Sequence, residues 1–148
     1  MPYFGSVLRY LDLARFSGTL ALLLSAGIPI IKAVESSATV VVNRKTFNEL
    51  TQINHSLTQG ESLSVSMRKY KTFPTLMTRI ISTGEKTGKL DEVLAGVSSH
   101  YHSKLRRQVK VLSTSIEPIL IVIIGVIVGF VILAIIAPIY QLIGQINP

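Results

Sequence analysis

Between Leu13 and Leu112 apolar residues recur every three or four positions, the period of one helix face. Leu13, Phe16, Leu20, Leu23 and Leu24 form the first stripe, with Asp12 as the helix start and Gly27 as its end. Pro29 suits the first turn of a second helix, whose stripe is Ile30, Val34, Ala38 and Val41. A third runs through TFNELTQINHSL to Gly60, with Phe47, Leu50, Ile53, Asn54 and Leu57 along one side, and Ser62 can cap a short fourth. Phe73-Pro74 opens a fifth helix, on which Phe73, Leu76, Met77, Ile80 and Ile81 are expected to face inward. The sixth starts near Leu90 and carries Val93, Val97, Tyr101, Leu105, Val109 and Leu112. Asp91 and Glu92 fall in its first turn, where the helix dipole favours anions. No stretch alternates convincingly at the period of a strand, and the run Val40 to Val42 is too short to count. The pattern predicts an all-α bundle of about six helices with short connections.

Beyond Glu117 the pattern changes character. The run from Ile119 to Ile139, ILIVIIGVIVGFVILAIIAPI, is apolar on every side. At about 1.5 Å per residue it makes a helix roughly 32 Å long, close to the hydrocarbon thickness of a bilayer. It is expected to span a membrane. Pro118 can redirect the chain at its start, and Pro138 sits near its far end, where the missing hydrogen bond costs least. Tyr140 and Gln141 fit the far interface. Gly125 and Gly129 form a G-x-x-x-G, which lets two helices approach closely; glycine is also simply common in such spans.

Charge sharpens this division. The 148 residues carry a net charge of +7, with 15 Lys and Arg against 8 Asp and Glu, and none of these charges lies after Glu117. Lys104, Arg106, Arg107 and Lys110 precede the apolar run, so the positive-inside rule puts residues 1–117 in the cytoplasm and the C-terminus outside. At the N-terminus Arg9, Asp12 and Arg15 arrive before any apolar run long enough for a signal peptide. The basic KLRRQVK lacks interleaved aromatics, which argues against nucleic acid; anionic lipid headgroups are the nearer partner.

Candidate chemistry is sparse. There is no Cys, and therefore no disulfide and no thiolate metal site. His100 and His102 are two apart and point to different sides of a helix, His55 has no partner in sequence, and no H-E-x-x-H or nucleophile elbow occurs. The chain is expected to be neither an enzyme nor a holder of metal or cofactor.

GEKTGKL, from Gly84 to Leu90, resembles a phosphate-binding loop without meeting its requirements. Such a loop needs G-x-x-x-x-G-K-[ST] between a strand and a helix, so that backbone amides wrap the phosphates and a hydroxyl reaches magnesium. Here the spacing is one residue short, Leu90 replaces the hydroxyl, and the preceding TLMTRIIST is helical in period. The stretch reads instead as a corner between helices, with Gly88 at a left-handed C-terminal position and Gly84 permitting close backbone approach. Glu85 lies on the edge of an apolar face and near a helix C-terminus, where a carboxylate is disfavoured. Such a group needs a cation, a metal or donated hydrogen bonds, so it either pairs with a nearby Lys or Arg, or makes a functional contact or holds a cation.

Four stretches, LARFSGTLALLLSAGIPIIKAV, GESLSVSMRKYKTFP, ISTGEKTGKLDEVL and EPILIVIIGVIVGFVILAIIAPIYQL, resemble in this order the repeated domain of the type II secretion protein F family. The resemblance covers nearly the whole chain and implies a cytoplasmic helical domain at residues 12–115, a membrane helix at 116–143 and an external tail at 144–148. Family members generally carry two such domains and several membrane helices; residues 1–11 look like the connector into the second domain. The resemblance further implies a non-catalytic inner-membrane platform of a type II secretion or type IV pilus assembly machine. Its partners would be a cytoplasmic assembly ATPase, pilins or pseudopilins, and other inner-membrane components. The competing reading is a tail-anchored helical adaptor with no secretion role. A homo-oligomer is expected, held by Gly125 and Gly129 in the membrane and by the corner Gly84, Glu85, Gly88, Leu90 and Asp91 outside it.

Overall fold

The computed structural model describes the backbone of residues 2–144 and, within it, the side chains of residues 5–111 and 118–136. Its elements are α1 (Pro2–Ser25), α2 (Ile30–Ala38), α3 (Arg44–Thr58), α4 (Leu63–Arg68), α5 (Thr75–Thr87) and α6 (Leu90–Gly144), with no strand among the described residues. The expected all-α class is observed. The chain divides into two compact units, Met1–Gln108 and Val109–Pro148.

In the first unit Phe16 and Leu20 of α1 meet Leu50 and Ile53 of α3, Met77 and Ile81 of α5, and Leu94 of α6 in one core, all without measurable exposure or nearly so. Each such side chain contributes about 1.5–3 kcal/mol by leaving water. Short connections between the helices depend on their end chemistry. Gly27, at φ 79°, turns the chain out of α1 while the Ile28 N–H bonds the Leu23 carbonyl at 3.0 Å and the Gly27 N–H bonds Leu24 at 2.9 Å. That six-to-one pairing satisfies carbonyls the helix leaves over, and Leu23 and Ile28 both pack against the core.

The helical reading holds in outline and shifts in detail. Helix α1 begins at Pro2, not at Asp12; proline suits the first helical position. Arg9, in the part of α1 read as connector, ties the helix to the turn before α5: its Nε donates to the Thr72 carbonyl at 2.8 Å and its Nη2 to Lys71 at 2.9 Å. Val41 lies past the end of α2. On α3 Phe47 is exposed and Thr46 takes the inward place. On α5 the inward face is Met77, Thr78, Ile81 and Gly84, whereas Leu76 is 54% and Ile80 38% exposed. Thr78 tolerates the interior because its hydroxyl donates to the Thr75 carbonyl at 3.0 Å. On α6 Leu94 and Ser98 join Val97 and Tyr101 in the interior, and Val109 is exposed. The Ser98 hydroxyl donates to the Ala14 carbonyl of α1 at 2.9 Å, beside Gly18, where an added Cβ would stand 2.7 Å from Ser98 Oγ.

In the second unit, Pro118–Ile136 has a mean hydropathy of 3.6 and is long and apolar enough to cross a membrane. α6 does not end at Pro118: the helix runs on through it to Gly144. A Cβ added at Gly125 or Gly129 would meet no atom within 4 Å. The side chains of Leu112, Glu117, Pro138, Tyr140 and Gln141, and residues 145–148 of the expected tail, lie outside the described residues.

Candidate functional site

Glu85 sits in the last turn of α5, where the carbonyl end of the helix opposes a negative charge. Its carboxylate turns to the start of α4. Oε1 accepts from the Leu63 N–H at 2.6 Å, both oxygens accept from the Ser64 N–H at 3.3–3.4 Å, and Oε2 also accepts from the Ser64 hydroxyl. Ser62 supplies the rest of that turn: its hydroxyl accepts from the Val65 N–H at 3.4 Å and its carbonyl from the Ser66 N–H at 3.0 Å. The N–H groups of Leu63, Ser64 and Val65, which the first turn of α4 leaves over, are thereby satisfied. Of the two readings of Glu85, no pairing with Lys or Arg is seen among the described residues; the carboxylate is held by donated hydrogen bonds from another helix start, whose dipole also favours it.

The neighbouring residues make that reach possible. Gly84 packs against the first turn of α6, where an added Cβ would lie 3.1 Å from the Val93 side chain and 3.2 Å from the Leu90 Cα. Gly88, at φ 68°, closes α5 in the left-handed conformation that only glycine adopts cheaply, and the Lys89 N–H returns to the Gly84 carbonyl at 3.0 Å. Asp91 opens α6 and accepts from the Ser25 hydroxyl at the end of α1 at 3.3 Å. Gly84, Glu85, Gly88 and Leu90 border one surface groove of about 390 Å³ with Ile30 and Ser62, and Asp91 is not part of it. The stretch that resembled a phosphate loop is thus a joint between α5, α6 and α4, with a helix where such a loop requires a strand.

Beside it, Glu61 accepts from Lys69 Nζ at 2.6 Å and from the Ser66 hydroxyl at 2.7 Å. The Lys69 bond first, and the Ser66 bond second, hold the Glu61 carboxyl below its ordinary range. At the other end of α6's bundle segment, Tyr10 and Tyr101 stack with centroids 5.8 Å apart. The Lys104 ammonium lies 5.6 Å from one ring centroid and 5.8 Å from the other. Burial raises the Tyr101 hydroxyl above its ordinary range, opposed by Arg9 and reinforced by Tyr10. Arg106 donates to the Ser103 hydroxyl at 3.4 Å; Arg107 and Lys110 are exposed. No group of three or more His, Cys, Asp or Glu side chains is placed to hold a metal among the described residues.

Asp12 is a structural carboxylate that the pattern misassigned. It does not start α1. It is fully buried inside α1 and accepts from the Val42 N–H at 2.6 Å and the Asn43 N–H at 3.1 Å, holding the connection that leads into α3. Asn43 then caps α3 by accepting from the Lys45 N–H at 2.9 Å. The signal lay in its spacing: Asp12 is four before Phe16, an acid on the apolar face, and such a group needs a buried partner. The second missed feature is an apolar groove of about 380 Å³ between α5 and α6, lined by Leu76, Ile80, Val93, Gly96 and His100 among others.

A family model described as "Type II secretion system (T2SS), protein F" matches residues 16–138 of this chain. Among curated relatives, the type IV pilus assembly protein PilC of Myxococcus xanthus is 32% identical over 147 residues, covering 99% of this chain and 35% of its own length. The type II secretion system protein F of Pseudomonas aeruginosa is 33% identical over 142 residues, covering 96% of this chain and 35% of its own. A protein transport protein HofC homologue of Haemophilus influenzae is 29% identical, over 95% of this chain and 37% of its own length. The chain spans about a third of the length of these relatives.

Proposed function

From the premise that the chain belongs to the type II secretion system protein F family, we propose that it serves as a non-catalytic inner-membrane platform of a type II secretion or type IV pilus assembly machine. In this reading the bundle faces the cytoplasm and binds an assembly ATPase, the apolar segment of α6 sits in the inner membrane, and the protein couples nucleotide hydrolysis by its partner to movement of pilins or pseudopilins. The observation that carries it is the Glu85 joint. The one carboxylate in the loop-like stretch GEKTGKL is spent on holding α4, Gly84 lets α6 pack close, and Gly88 ends α5 in a left-handed turn. Nothing in that arrangement cradles a phosphate, which favours a part that transmits force over one that hydrolyses nucleotide.

The same reading includes self-association. Gly125 and Gly129 leave open space on the apolar segment, as a close helix pair requires. At the corner the Glu85 oxygens are occupied within the protomer, so contacts there would come from the walls of its groove. Sedimentation in detergent tests the membrane contact: Gly125→Leu should shift an oligomer toward monomer, and an unshifted distribution refutes it. The platform reading itself is tested by co-purifying the tagged full chain with the assembly ATPase of the same organism. Co-elution with a changed ATPase rate is expected. Failure to co-elute from any membrane preparation would leave a tail-anchored adaptor as the better account.

A further inference from the structure

We propose that the apolar groove between α5 and α6 is a docking site for an amphipathic helix of a partner protein, with carboxylates flanking its apolar stripe. The inference rests on the reading of this bundle as a partner-binding platform. Three observations converge on one face. Leu76 is 54% and Ile80 38% exposed, although both occupy positions where the helical period expects core. The groove they wall is about 380 Å³, enough for more than one large apolar side chain, and its floor is formed by the buried Met77 and Val97.

Gly96 is the second observation. Glycine inside a helix is destabilising and is kept where something must come close. Gly84 and Gly18 have such a reason inside the bundle, because Val93 and Ser98 press on them. Gly96 has none: a Cβ there would meet nothing within 4 Å, and the position opens onto the groove. The room it leaves is therefore open to a molecule from outside this bundle.

Charge identifies the occupant. Glu92, Gly96, His100, Lys104 and Arg107 follow at helical spacing along one side of α6; Glu92 is paired with Lys89 at 3.4 Å, and past His100 the groove runs into the cations Lys104 and Arg107. Tyr101, which lines the groove, holds the Lys104 ammonium at 5.8 Å from its ring. Among the described residues lining the groove none carries a carboxylate. A helix seated through apolar residues at i, i+3, i+4 and i+7 is a recurring recognition mode, and acidic residues on its flank complement this rim. A second copy of the chain presents cations to cations on the same face, and a bilayer has no use for the notch at Gly96.

The test uses the full chain in phosphatidylcholine nanodiscs and two fluorescent synthetic amphipathic helices. They share a leucine stripe; one carries glutamates on its polar side and the other lysines. Anisotropy should show saturable micromolar binding of the glutamate peptide alone. Gly96→Leu should weaken it by about tenfold or more while leaving Tm unchanged or raised, since leucine favours the helix. Leu76→Ser with Ile80→Ser, both at exposed positions, should weaken it likewise. Lys104→Glu with Arg107→Glu should transfer preference to the lysine peptide. Equal binding of both peptides, or binding indifferent to all these changes, overturns the proposal, as does a wild-type dimer that Gly96→Leu dissolves. Peptide binding that persists where the ATPase fails to co-purify counts against the machine and not against the groove.

Discussion

Asp12 and Glu85 do the same work at two different depths. Each is a carboxylate on one helix that accepts backbone N–H groups where another helix begins: Asp12 from Val42 and Asn43 before α3, Glu85 from Leu63 and Ser64 at the start of α4. Asp12 is wholly enclosed, whereas Glu85 stands half-buried beside an open groove. The same bonds thus have different weight. Removing the Asp12 carboxylate leaves a gap in the enclosed interior, whereas the place Glu85 vacates borders an open groove that water can enter.

Asp12→Ala is expected to have the larger effect, about 2–3 kcal/mol. For a bundle of this size that is roughly a 10–20 °C fall in Tm by circular dichroism. A fall no larger than that of Glu85→Ala would erase the distinction between the two sites. Glu85→Ala should cost about 1–2 kcal/mol, the range of a lost helix cap, and Tm should fall by roughly 5–10 °C. The smallest effect concerns the Glu61–Lys69 pair next to the second joint. Glu61's folded value lies below its ordinary 4.5, so the unfolded chain takes up the proton first. The pair's contribution is present above pH 4.5 and is lost as pH falls through the lower folded value. Lys69→Ala should leave Tm at neutral pH almost unchanged, because the pair is exposed, and should flatten the acid limb of the Tm profile. An unaltered acid limb would detach Glu61 from the joint's stability.

What could be read from the chain alone follows the range of the interactions. The Gly27 and Gly88 turns and the Ser62 cap act within a few residues of themselves, and their positions were legible. Asp12 reads as a helix start because its residue type fits one; its partners lie 30 and 31 residues away, beyond any local pattern. Glu85 was recognisable as an acid in an unfavourable place, while its donors, 21 and 22 residues back, were not. Leu76 and Ile80 failed for another reason. Apolar period marks a stripe on α5 but cannot divide it between the bundle's own core and a groove left open to a second molecule. The candidate site was therefore visible as a corner, and its direction of reach was set by tertiary placement.

Amide hydrogen exchange at Leu63 and Ser64, in the full chain and in Glu85→Ala, tests most directly whether Glu85 is an internal helix joint. These two N–H groups sit in the first turn of α4, which has no carbonyl of its own to offer them. With Glu85 in place they should be protected; in Glu85→Ala their exchange should accelerate toward that of an open helix end, while the Val42 and Asn43 amides held by Asp12 keep their rates. Unchanged protection at Leu63 and Ser64 would contradict the account, and would free the Glu85 carboxylate for a cation or a partner.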